Sequence, residues 1–199
     1  MKASVIILLF FAIGVILGIF NFIPDSFLNY NSSFIALCVL MFVVGFSVGH
    51  QPQTIQKFKN LPLRIILLPI ITLLGTWVGS LAASLTNTYS ITENLAIGSG
   101  LGYYSLTSIL ITQYKGTELG ALALLANIFR EIITLLFLPL MVQYFGKLAP
   151  IAAGGATTMD TTLPGIMRFS GKDYGMIAIY HGFVADLSVP FLVAFWCSV

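Results

Sequence analysis

A chain of 199 residues is long enough for one soluble domain, yet 58% of it is hydrophobic and 8% charged. A soluble domain carries about 25% charged residues, so this chain belongs in a membrane. Nine Lys and Arg against seven Asp and Glu leave a formal charge of +2, with no basic run able to hold a nucleic-acid backbone.

In chain order, Lys2 precedes an apolar run from Ala3 to Phe20 that imitates a secretory signal. The run is long enough to span a bilayer, and Asn21 to Asp25 offers no small-x-small cleavage site, so an uncleaved first span is expected. Charge and Pro/Gly punctuation then divide the chain into seven apolar segments, approximately 3 to 23, 33 to 49, 61 to 85, 95 to 113, 119 to 145, 150 to 168 and 174 to 198. The second is short, and glycine and proline interrupt the fourth and sixth, so a count of six also fits. The expected fold is an all-α polytopic membrane protein, with residues 1–199 forming a single transmembrane transport domain. Cys38 and Cys197 lie in apolar stretches, outside any metal-ligand pattern, and read as small buried hydrophobes.

If Lys2 is cytoplasmic and each segment crosses once, the inside collects Lys2, Lys57, Lys59, Arg64, Lys115, Arg168 and Lys172, and the outside only Lys147. Seven against one supports an N-terminus in and a C-terminus out. The longest loop, His50 to Asn60, leaves no room for a soluble domain, and no internal repeat is evident.

Chemistry is sought where polarity is most expensive. Arg130 and Glu131 fall near the middle of the fifth segment, where a charge costs about 2.5–3.5 kcal/mol on insertion scales. Asn127 lies one turn before Glu131, so both can face one cavity. Arg130 and Glu131 point about 100° apart, so each looks to another helix. In the sixth segment, Gly154-Gly155-Ala156-Thr157-Thr158-Met159-Asp160-Thr161-Thr162-Leu163-Pro164-Gly165 is poor material for a lipid-facing helix and suits a broken one. Asp160 is the best single candidate for a substrate or proton contact.

The fourth segment has a related signature, Gly98-Ser99-Gly100-Leu101-Gly102-Tyr103-Tyr104-Ser105. It fits a close helix crossing, a backbone anion nest or an unwound stretch lining a cavity, with the Tyr103, Tyr104 and Ser105 hydroxyls near it. In the last segment His181 is either a pH-sensitive relay or a satisfied structural donor, and Asp186 either balances Arg130 or takes part in transport. Glu118, Lys115, Asp173 and Lys172 sit at segment ends and read as solvated. No H-E-x-x-H, rhomboid-type serine or intramembrane aspartyl pattern is present, so no enzyme, metal or cofactor is expected. A non-transporting membrane subunit stays open, although three or four intramembrane charges exceed what a scaffold requires.

The run Ser99 to Ser105, Asn127 with Arg130-Glu131, Gly155 to Pro164, and His181-Gly182-Phe183 with Val189-Pro190 together closely resemble the bacterial lysine exporter LysO family, most strongly from about residue 95 onward. The resemblance implies a multi-pass inner-membrane exporter of L-lysine and analogues such as thialysine. It also implies two intramembrane acids associated with translocation, which fall on Glu131 and Asp160. Departures are Tyr103, where tryptophan is expected, and Asp186, where an uncharged residue is expected. Full-length members are longer at the N-terminus; three more spans would permit two inverted five-span halves, so a homodimer or a small membrane partner is expected. The mechanism expected is exchange of lysine for protons on Glu131 and Asp160, with Asn127, Thr161, Thr162, the broken backbone or Arg130 receiving the substrate carboxylate. A proton-coupled inorganic cation antiporter is the alternative.

Overall fold

The structure, a computed structural model, describes residues 62–199. The first two apolar segments, Cys38 and the His50 to Asn60 loop lie outside the described residues. The described residues are all-helical. They comprise α1 (Leu63–Ile66), α2 (Leu68–Ser84), α3 (Ile91–Gly98), α4 (Tyr104–Lys115), α5 (Thr117–Phe145), α6 (Ala149–Gly154), a 3-10 turn (Gly155–Met159), α7 (Leu163–Phe169) and α8 (Tyr174–Ser198).

Three helical runs are long and apolar enough to cross a membrane: Leu63–Ser84, Thr117–Phe145 and Tyr174–Ser198. They match the third, fifth and seventh expected segments to within two residues at each end. Each contains proline. Pro69 sits in the first turn of α2, where its missing N–H costs nothing, while Pro139 and Pro190 lie inside α5 and α8.

The fourth and sixth segments are broken, as their glycines and prolines suggest, but they do not run from one end of the bundle to the other. Tyr89, before α3, donates its hydroxyl to the Glu118 carboxylate at the start of α5, at 3.0 Å. That hydrogen bond, and then the charge of Glu118, hold the Tyr89 phenol above its ordinary pKa. Both ends of the fourth segment therefore lie at the same end of the bundle. The sixth segment repeats the pattern from the other end: Lys147, before α6, lies 5.6 Å from the centre of the Tyr174 ring at the start of α8. Ile151 of α6 and Ile166 of α7 share one apolar cluster with Leu68, Leu138 and Ala178. These two segments, each expected to cross once, turn back within the bundle of described residues. An apolar run of the right length fixes how far a chain can reach, not whether it turns back.

Each doubled-back segment is an open V whose arms are wedged by a long helix. The arms α3 and α4 both pack on α8, and α4 also lies along α5; the arms α6 and α7 both pack on α5 and α8. Doubled-back segment then long helix thus occurs twice, 91–145 and 149–198, running in opposite directions. The two tips meet in the middle of the bundle.

Candidate functional site

The meeting of the tips is made by backbone. Leu101, at φ 47°, and Gly102, at φ 92°, turn the first tip; Gly155, at φ 63°, turns the second. The Ala156 N–H donates to the Leu101 carbonyl at 2.8 Å, joining the two breaks directly. A Cβ on Gly102 would stand 3.1 Å from the Gly154 carbonyl oxygen, and one on Gly155 would fall onto the Leu101 carbonyl oxygen. Of the three uses weighed for the fourth segment, the close crossing is present, and it is made by unwound backbone rather than by two helices. Gly155→Ala is accordingly expected to abolish the folded protein, since it adds a backbone clash to a left-handed φ. Gly75→Ala, with nothing within 4 Å of the added carbon, should raise stability by up to about 1 kcal/mol. Thermal unfolding of the two purified variants checks the contrast.

Helix α5 fastens both tips. Asn127 accepts from the Gly102 N–H at 2.8 Å and donates to the carbonyls of Ile97, at 3.1 Å, and Ala123, at 2.9 Å. One turn on, Arg130 donates to the carbonyls of Ala153, at 2.8 Å, and Ala152, at 3.2 Å, and to the Thr76 hydroxyl at 3.1 Å. Ile97 ends α3 and Ala152 and Ala153 end α6, so the two side chains cap the carbonyl ends of two opposed half-helices. A cation suits that position because the carbonyl end of a helix carries partial negative charge.

These contacts correct two expectations. Arg130 is not paired with Asp186; backbone carbonyls and a threonine take its hydrogen bonds. Asn127 has both its amide oxygen and its amide nitrogen engaged in holding the first tip. Thr162 is fully buried and donates to the Thr157 carbonyl at 3.0 Å, fixing the turn inside the second tip. His181, also fully buried, lies 2.9 Å by Nε2 from the Thr72 hydroxyl and 3.5 Å by Nδ1 from that of Thr158, the arrangement of a satisfied structural histidine.

The candidate residues with open chemistry lie elsewhere at the tips. Asp160 follows the 3-10 turn and is exposed, its carboxylate accepting the N–H of the neighbouring Thr161, which is exposed too. Tyr104 and Ser105 are exposed at the start of α4, and Tyr103 is half-buried just before it. Asp186 is buried in α8. Glu131 is half-buried on α5 beside the exposed Ile132 and Ile133, with no hydrogen bond or ion pair among the described residues.

A separate cavity of about 510 Å³ lies between α2, α3 and α5 and is lined by Thr76, Ser80, Asn94, Gly98, Arg130 and Ala153 among others. Arg130 lines this space and has five N–H groups, of which three are engaged. Among the described residues no group of three or more His, Cys, Asp or Glu side chains forms a metal site. Cys197 is a buried free thiol.

Comparison with known proteins agrees with these motifs. The family model described as "Lysine exporter LysO" matches residues 8–197. The "Lysine exporter LysO" of Escherichia coli is 32% identical over 162 residues, covering 81% of this chain and 54% of that protein. A Haemophilus influenzae protein named "Putative lysine exporter" is 31% identical over 188 residues, covering 94% of each. The matched region thus spans about half the length of the Escherichia coli relative. No solved structure matches.

Proposed function

The chain belongs to the lysine exporter LysO family, and from that membership we propose that it exports L-lysine and close analogues across a bacterial inner membrane in exchange for protons. The observation that carries the proposal is the pair of broken, doubled-back segments whose unwound tips meet with an open carboxylate, Asp160, at the junction. Backbone freed from helices at membrane depth is tolerated where it lines a cavity or is buried in protein, and such breaks form substrate sites in secondary transporters.

The proposed orientation keeps the N-terminus in and the C-terminus out while reducing the crossings. With both broken segments turned back, Arg64, Lys147, Arg168 and Lys172 share one face and Lys115 lies on the other. If the first two apolar segments each cross once, Lys2, Lys57 and Lys59 join the larger group, and the excess is again seven to one. Five crossings and two re-entrant segments are the topology proposed. Single cysteines replacing Thr92 and Glu118 should then react with an impermeant thiol reagent from the same face of the membrane, and cysteines replacing Lys147 and Lys172 from the opposite face. Reaction of the first pair from two different faces would restore the crossing segment.

An inward-negative potential opposes the exit of a cation by about 2.3 kcal/mol per 100 mV per charge, so export requires coupling. Asp160 and Glu131 are proposed to hold either protons or the ammonium groups of lysine: lysine displaces protons from the inside, and outside protons displace lysine. Thr161 and the spare Arg130 donors are the groups left for the substrate carboxylate, since Asn127 and Thr162 are occupied. A second copy of the chain or a small membrane protein is proposed to cover the exposed Asp160 and Thr161; full activity of a lone monomer would contradict that. Labelled lysine exchange in vesicles of the purified chain, with an imposed pH gradient, tests the proposal. Gradient-driven exchange lost in Glu131→Gln supports it, and normal exchange in that variant removes Glu131 from the mechanism.

A further inference from the structure

Asp186 is an acid inside the apolar helix α8, and its surroundings do not neutralise it. It is 4% exposed, and no hydrogen bond or cation among the described residues meets its carboxylate. Arg130 is turned to the end of α6, and His181, on the same helix, is turned to Thr72 and Thr158. A buried, unpartnered carboxylate is costly unless it holds a proton or faces a cation.

The fold sets this acid one turn beyond the place where the second tip meets α8. Gly182, one turn before Asp186 on the same face of α8, is where that tip lies against the helix: a Cβ there would stand 2.7 Å from the Met159 nitrogen and 2.9 Å from the Ala156 carbonyl oxygen. Asp160 is the next residue after Met159. From the other tip, Gly102 meets the Gly154 carbonyl and the Thr157 methyl, and Tyr103 follows it. The crossing thus gathers Asp160, Asp186 and the Tyr103 phenol from three separate elements. Pro190 has no N–H to give the Asp186 carbonyl, which leaves a further oxygen in the same turn of α8 without its helical donor. None of the three residues lines the Arg130 cavity.

We propose that Asp186 is the second carboxylate of the Asp160 site, and that the two acids with the Tyr103 hydroxyl receive an ammonium group of the transported cation. The proposal rests on the lysine-export reading for the identity of that cation, while the paired site stands on the geometry of the crossing. It assigns to Asp186 a substrate contact, and it pairs Asp160 with Asp186, with Glu131 on a different helix.

The test uses the purified full chain in lipid vesicles and dicyclohexylcarbodiimide, an apolar reagent that modifies protonated carboxyl groups within membranes, with the modified residues located by mass spectrometry. Asp160 and Asp186 should both be modified, and L-lysine at ten times its half-protecting concentration should slow both about tenfold; norleucine, which lacks the side-chain ammonium, should protect far less. Asp186→Asn should remove the protection of Asp160 and Asp186→Glu should restore part of it, whereas Asp173→Asn, at the exposed start of α8, should leave it intact. Protection by sodium but not by lysine would uphold the paired site and overturn the lysine reading. Absence of modification at Asp186, or modification indifferent to both lysine and sodium, would overturn the proposal in the unaltered chain, whatever the variants do.

Discussion

Asp160→Asn is expected to reduce lysine export driven by a pH gradient to the level of protein-free vesicles, while leaving the protein folded. The side chain's one hydrogen bond among the described residues is accepted from the adjacent Thr161 N–H. The amide oxygen of asparagine can accept the same bond in nearly the same shape. The residue is exposed at the tip, so the change in stability should stay within about 0.5 kcal/mol. What the variant loses is the ability to take up and release a proton and to offer a full negative charge to an ammonium group. Thermal unfolding, followed through Trp77 and Trp196, separates that loss from misfolding, because these tryptophans stack edge to face across α2 and α8 at 5.5 Å. Lysine efflux at the normal rate in a folded Asp160→Asn protein would remove the carboxylate from the mechanism.

The long helices and the two breaks were legible because they depend on local chemistry. Apolar runs of the right length gave three helical spans, and the glycine and proline clusters at 98–105 and 154–165 marked where helix could not continue. The direction taken after each break was not legible. Turning the fourth and sixth segments back moves Lys115 to one face and Lys147 to the other, and the excess of positive charge is seven to one either way. The charge rule therefore could not distinguish the two arrangements. The repeat of doubled-back segment and long helix was hidden for a related reason: its halves run in opposite directions and share an order of elements, with little in their residues to align.

Among the site residues, Asp160 was legible as a carboxylate amid glycine, threonine and proline. The work of Asn127 and Arg130 was not, because their partners are backbone groups that any residue could supply. A buried arginine invites a search for an acid, and Asp186 was the natural choice by sequence. The fold instead spends the arginine on a helix end and leaves Asp186 without a cation among the described residues. Asn127 and Arg130, three residues apart on α5, tie both tips to one rigid helix, so movement of either tip relative to α5 must break or carry these bonds.

Replacing Arg130 with methionine is therefore expected to act on the second tip first. Methionine fills the volume of the arginine stem, but it leaves the Ala152 and Ala153 carbonyls without the donors that Arg130 supplies. Each unsatisfied buried group costs about 1–3 kcal/mol, so the two together give a loss on the order of 4 kcal/mol. Arg130→Lys should lose less, because an ammonium can still serve one carbonyl and balance the helix end, but it lacks the planar fork that reaches both and Thr76. Unfolding in denaturant should rank wild type above Arg130→Lys above Arg130→Met. If the Asp186 pairing suggested by sequence held instead, Asp186→Asn would rescue the methionine variant by removing a stranded charge. Failure of that rescue, with the stability order as stated, would assign Arg130 to the carbonyl end of α6.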